Sequence, residues 1–548
     1  MIEAPQIQGD QPTSYTPAGP PDPLMFEEFE GINTATLRPG VDDKQAAWLD
    51  GFMPLGPRRN LRTMYGVSAA LYTAPGALTV AFFDFGNIGV TPYDIIVQSD
   101  GSIVAVNTIT SVANTIAGAG TIQNPSRLNV GFAQYGSKYI LIVAKQTNGY
   151  FIWDGTTFFV PGGPLPPGTS YTPNGGSLVT TMPLGISGTA IEIYTGRVWI
   201  ANGPTITFSA PGSVVDFSSA DGGGNFTSSD SFLRVGFTQL KQTNGFLYLI
   251  ADSSVNYISG VQTSGATPIT TFTNQNADPE AGTSWPATVD VFNRNILFAN
   301  AFGAQVSYGG AVTKISEMLD GVYNTVTNFG NISPSAAKAI VFGKKIWVLL
   351  LPIIDPVTGQ QVNKLLMWNG KQWWASVQDV NLVYIQFQEI NSVLTAWGTD
   401  GKSVYQLFAR PSVNFTKTAQ TKLWDKPGGY QFTKFVTRLW GIVRYYSALA
   451  STLNITLDNE LGSSPALVVP VSSLAAIWTM AGGGISTWTT ASATISTWLL
   501  GGGTGYSVFQ PDAVGQQGVL TGFTLTTNAA DMAVVSMMIQ DTIAGNRG

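Results

Sequence analysis

Short apolar strands of one design recur along the chain at a nearly constant step, and this limits the possible folds more than any other feature. "YILIVA" begins at Tyr139, "VWIAN" at Val198, "LYLIAD" at Leu247, "NILFAN" at Asn295, "IWVLLL" at Ile346 and "VLTAWG" at Val393. The steps are 59, 49, 48, 51 and 47 residues, and a weaker candidate, "DIIVQSDGSIVAV", starts at Asp94. We read each as the first strand of a unit. A turn and a second strand bearing an aromatic follow, as in "YFIWDGTTFF", "TITFS", "VNYIS" and "KLLMWNGKQWW". Two units share Trp-[Asp/Asn]-Gly, at Trp153–Phe158 and Trp368–Trp373, a dipeptide suited to the φ > 0 pair of a two-residue hairpin turn. A single hairpin unit cannot bury both faces, whereas a ring of them buries each sheet against the next. A period near 50 with three or four short strands predicts β-propeller blades, six or seven in number. The one long step is explained by an inserted Pro/Gly-rich loop at 161–177. "KQTNG" at 145–149 and at 241–245 is a decoy, because it follows the repeated strand once and precedes it once.

The rest of the chain does not follow the period. Residues 1–25 carry six prolines and read as an extended arm. Residues 26–75 lead into the propeller, which spans 76–410. Within them "DDKQAAWLDGF" is the one segment that reads as a short helical turn, capped by Asp42 or Asp43. From 411 to 548 longer strands such as "FVTRLWGIVRYY" and "MAVVSMMIQ" predict a separate C-terminal antiparallel β-sandwich. Its segment 477–503 repeats "ISTW" between glycine runs and offers tryptophans either to the core or to a partner. The fold class is therefore all-β: a propeller, an added sandwich and a Pro-rich arm.

Composition narrows the function. Of 548 residues only 11% are charged, and the net charge is −6. Ordinary domains carry about 25% charged residues, so much of this surface is expected to meet partners. Apart from Arg58 and Arg59 no basic stripe or Lys/Arg cluster stands out, which argues against tight nucleic-acid binding. Cysteine and histidine are both absent. That removes disulfides, thiolate nucleophiles, the usual triads and most transition-metal sites. The first 23 residues lack the basic and apolar regions of a secretory signal, and the longest apolar run, Ile346–Ile354, is too short for a bilayer.

Candidate chemistry is sparse. Asp216, Asp221, Asn225 and Asp230 share one loop with oxygen ligands for calcium, though without EF-hand spacing. "FEEFE" (Glu27, Glu28, Glu30) and Asp42–Asp43 offer paired carboxylates. "WGTDGKSVY" is faintly like the Asp-box turn of sialidase blades, with the wrong serine and aromatic spacing. No catalytic, metal or cofactor residues are assigned.

The stretch "FEGINT…RPGV…WLDGFMPLGPRRNLRTMYG" at 29–66 resembles the N-terminal segment of tailed-phage virion proteins built on a β-propeller. "TKLWDKPGGYQFTKFVTRLW" near 421–440 and the ending "GQQGVLTGFTLTTNAADMAVVSMMIQ" are similar to the same family, the tail nozzle or hub of short-tailed phages. The resemblance implies a virion tail protein, made in the host cytoplasm. It implies a homo-oligomeric ring, commonly of six copies, below the portal and adaptor, beside tail fibre or tip proteins. Genomic DNA leaves through the ring without specific binding, and the family brings no catalytic residues. Two readings compete with it: a propeller binding module of receptor-binding or adhesin type, and a glycan-acting propeller enzyme.

Overall fold

The computed structural model describes residues 24–546, apart from 28, 56–59, 229, 231–232, 234, 327–332, 426–429, 431, 448–450, 472–487, 490–494, 497–504 and 510–516. The proposed arm at 1–23, Glu28 and the Arg58–Arg59 pair lie outside the described residues. So does the 477–503 segment, apart from a strand pair, Trp488–Thr489 with Ile495–Ser496.

Seven four-stranded antiparallel units close into a propeller. Blade 1 begins with Val80–Ile88, blade 2 with Val130–Tyr135, blade 3 with Ala190–Tyr194 and blade 4 with Phe237–Thr243. Blades 5, 6 and 7 begin with Asp290–Phe292, Ser335–Val341 and Tyr384–Ile390. Each innermost strand lies against that of the next blade, and the seventh returns to the first. Closure comes from the N-terminal side: Ala70–Thr73 supplies the outermost strand of blade 7, pairing with Ser403–Gln406. Chain ends that share a blade make ring opening cost strand pairing as well as packing.

The period is as read, but its phase is shifted by one strand. "YILIVA" and its equivalents are the second strand of each blade, because an inner strand precedes every one of them. Second strands stand out because blades bury both of their faces: Ile140, Leu141, Ile142, Val143 and Ala144 are all buried. Two-residue turns with both φ positive do occur, but between first and second strands, at Thr195–Gly196, Asn244–Gly245, Asn293–Arg294, Phe342–Gly343 and Asn391–Ser392. The Trp-[Asp/Asn]-Gly sites instead make four-residue loops. There the Asp154 and Asn369 side chains accept two backbone N–H groups each, and only the glycine is left-handed. The two "KQTNG" copies fall at different turns, between second and third strands in blade 2 and between first and second in blade 4.

The C-terminal strands do not form a separate domain. Blade 6 continues beyond its outer strand Trp373–Ser376 through Ala46–Asp50, Lys417–Thr421, Gly522–Thr527 and Ser451–Asn459, giving one ten-stranded sheet. A second sheet joins Phe52–Leu55, Asn60–Thr63, Met532–Asn546, Phe432–Tyr445 and Gly505–Phe509, with Leu24–Phe26 beside Met532–Asn546. The two sheets face each other over one core that also includes blade 6, with Phe26 edge-on to Phe523 at 5.7 Å. The sandwich is thus built from both ends of the chain. The chain passes from one sheet to the other at Gly51, whose φ is +70° and where a Cβ would lie 2.6 Å from Lys417.

The short helix expected around "DDKQAAWLDGF" is the strand Ala46–Asp50. Trp48 and Leu49 are fully buried between two neighbouring strands, and pairing on both edges outweighs the helix preference of Ala46 and Ala47.

Ion pairs join residues far apart in sequence. Arg62 meets Asp531 through two hydrogen bonds of 3.1 and 3.0 Å, while Tyr65 donates to the same carboxylate at 2.7 Å. The guanidinium lies over the rings of Phe342 and Tyr446, at 4.1 and 4.3 Å. Lysine cannot reproduce a forked, stacked contact. Arg62→Lys is therefore expected to lower stability by about 1.5–3 kcal/mol, read from urea denaturation midpoints.

Candidate functional site

One set of polar residues converges on the propeller axis. Inner strands pair on one side only, so half of their backbone N–H groups face the axis without a strand partner. The chain answers this blade by blade with a side chain one residue earlier. Asp84 accepts from Phe85 N–H at 2.8 Å, Glu192 from Ile193 at 3.1 Å, Gln239 from Leu240 at 3.0 Å, Asp290 from Val291 at 2.7 Å and Gln386 from Phe387 at 3.0 Å. In blade 2, Gln134 accepts instead from Asn87 N–H of blade 1. In blade 6, Lys338 bridges three blades: it pairs with Asp290 at 3.0 Å, donates to Val291 O and sits 3.8 Å over the Phe387 ring.

Between blades 1 and 4 these residues surround a cavity of about 170 Å³, with Asp84, Gln134, Glu192 and Lys241 in its wall. Burial raises the pKa of Asp84 and of Glu192, and Lys241 opposes the rise in both. The arrangement satisfies backbone donors and balances charge.

Other expected sites disperse. Asp216 and Asp221 do meet: burial and then Asp221 raise the Asp216 pKa to about 6, against the Ser218 amide. Asp221 also accepts the Asn174 N–H, so the inserted loop folds back onto blade 3. Asp230 lies apart, accepting from Ser254, Asn256 and Asn276, while Asn225 sits on the outer strand of blade 3. Among the described residues no three acidic groups are placed to hold a metal. Asp42 accepts the Lys44 N–H and Asp43 pairs with Lys422 at 2.7 Å, so these carboxylates fix a turn and a surface contact. Asp400 of "WGTDGKSVY" accepts from the Lys402 and Ser403 amides, which makes it a turn residue.

Sequence reading missed the axial residues, because each is a single polar residue in a strand whose place in the blade was not known. It also missed the triad Asp50–Lys364–Asp355, in which a buried lysine from blade 6 pairs with Asp355 at 2.8 Å and with Asp50 of the N-terminal strand.

No family model matches the chain, and no curated protein matches it. Among solved structures, the chain is similar to BBS1N in complex with ARL6DN (10% identity, 66% of this chain and 98% of that one, TM-score 0.35). It is also similar to the Cps50 (Swd1) β-propeller domain of Myceliophteria thermophila (12%, 62% and 99%, 0.32) and to BamB from Moraxella catarrhalis (11%, 65% and 95%, 0.32). Scores this low add nothing to the strand topology, and it is the seven closed four-stranded sheets that make the chain a β-propeller.

Proposed function

We propose that the protein is a structural virion protein of a tailed phage. In this reading copies form a ring, the tail nozzle or hub below the portal and adaptor, and genomic DNA is ejected through it. The observation that carries the reading is where the three resembling stretches lie. Residues 29–66 stand more than 350 positions before 421–440 and 515–540, yet the described parts of all three interlock in one sandwich whose core is continuous with blade 6. Arg62 and Asp531, which meet there, belong to two of those stretches. A body without a hinge between propeller and sandwich suits a wall that bears load. A charge-poor, net acidic chain suits a channel that does not grip a phosphate backbone.

A second reading, a receptor-binding module, draws on a groove of about 420 Å³ between Phe208, the Gly222–Gly224 turn and Thr270. Negative-stain electron microscopy of the purified protein at high concentration separates the two. The ring reading expects class averages with rotational symmetry and a central hole wide enough for a duplex. Single asymmetric particles at every concentration count against it and favour the binding module.

A further inference from the structure

Blade 4 departs from the repeat. Its outer hairpin, Val255–Ser264 with Ile269–Asp278, has ten-residue strands, whereas the outermost strands of the other blades have two to five. A bulge between Ser259 and Gln262 extends the hairpin, and beyond it most residues are exposed, while Val261, Pro268, Thr270 and Phe272 are half-buried. Val261 and Phe272 still pack on blade 3, with Phe272 5.7 Å from Trp199 and 5.8 Å from Phe208, so the hairpin is anchored along one face.

The unpaired side of such a strand is a template for another chain, and proteins normally protect it with short length, charge, proline or a cover. The other blades do so. Blade 5 ends in three residues with Lys314, blade 6 is covered by Ala46–Asp50, and blades 2, 3 and 7 end in strands of two to four residues. Blade 1 ends in five. Ile269–Ala277 is not short, and no strand crosses its outer edge among the described residues; its contacts with blade 3 run through side chains, with Thr270 donating to Gly222 O and Phe272 lying on Phe208. It reads "ITTFTNQNA", without charge or proline, and at about 3.3 Å per residue it offers roughly 30 Å of edge. Among the described residues, Ile269–Asp278 pairs with Val255–Ser264 and with no other strand.

We propose that this edge is an assembly surface, where a second copy of the chain adds a strand. This rests on the ring reading above. A closed ring needs one contact repeated by rotation, and in strand addition main-chain hydrogen bonds give the affinity while side chains set the register. The uncharged Thr/Asn/Gln sequence neither repels a second copy nor demands a charged partner.

Hydrogen exchange of the full chain, compared between assembled and dilute protein, tests this. Amides in 269–277 that face outward are expected to slow by about tenfold or more on assembly, because they change from solvent to strand partners. The variant Thr271→Lys/Thr273→Lys places two charges at exposed positions of the strand and is expected to keep the wild-type melting temperature but lose the rings. Wild-type rings with unprotected 269–277 amides, or rings formed equally by a stably folded Lys variant, overturn the edge proposal and leave the ring reading standing. A wild-type protein that never forms rings overturns that reading and the proposed occupant with it.

Discussion

Lys364→Met is expected to be the most damaging single polar substitution, lowering stability by about 3–5 kcal/mol near neutral pH. Lys364, Asp50 and Asp355 are all buried, and the lysine pairs with both acids. Burial alone would lower the Lys364 pKa, but Asp50 and Asp355 more than offset it, and the net direction is upward. Burial raises the pKa of Asp50 despite Lys364, whereas the lysine and the turn amides of Val357 and Thr358 hold Asp355 low against burial. Without the ammonium, two carboxylates share a site that cannot solvate them. They would then take up protons, so the loss should be smaller at pH 5 than at pH 7.5. Urea titrations at both pH values check this. An equal loss at both would mean that the lysine acts through packing and not charge. Asp50 and Lys364 also sit on opposite sides of the seam between sandwich and blade 6, so the variant should still unfold in one transition. Two separate transitions would mean that the common core does not couple them.

Replacing Asp94 is expected to stabilise the protein. Asp94 is fully buried in the second strand of blade 1, and neither carboxyl oxygen has a hydrogen-bond partner among the described residues. Burial, and then the nearby Asp84, push its pKa well above the usual carboxylate range. The sign follows from linkage. Below the unfolded-chain pKa of about 3.9 the group is protonated in both states and costs only its missing hydrogen bonds. As pH rises past that value the unfolded chain ionises while the native carboxyl keeps its proton, and stability falls until the native pKa is reached. Asp94→Val removes both costs and is expected to gain about 1–3 kcal/mol at pH 7. Asp94→Asn removes only the titration, so its advantage over wild type should vanish near pH 4 and grow toward pH 8. Thermal melts across that range decide it, and a gain independent of pH would contradict the assignment.

Part of this architecture is written locally. The second strand of each blade is apolar on both faces, and turn residues such as Asn244–Gly245 follow local rules, so repeat, period and fold class are determined by the sequence alone. The phase of the repeat is not. Inner strands carry Asp84, Glu192 or Asp290, and a polar residue in a strand signals an axial N–H cap only after the strand is known to be innermost.

Tertiary structure decided the rest. Ala46–Asp50 has helix-forming alanines and becomes a strand because edges from blade 6 and from Lys417–Thr421 lie on either side of it. Seven blades close because Ala70–Thr73 reaches a strand more than 300 residues away. The sandwich is not a C-terminal domain because its core needs Phe26, Trp48 and Phe52 as much as Leu453 and Phe523. Local propensity reports what a segment tolerates, whereas burial between distant segments is a many-body contact that no single stretch of sequence encodes.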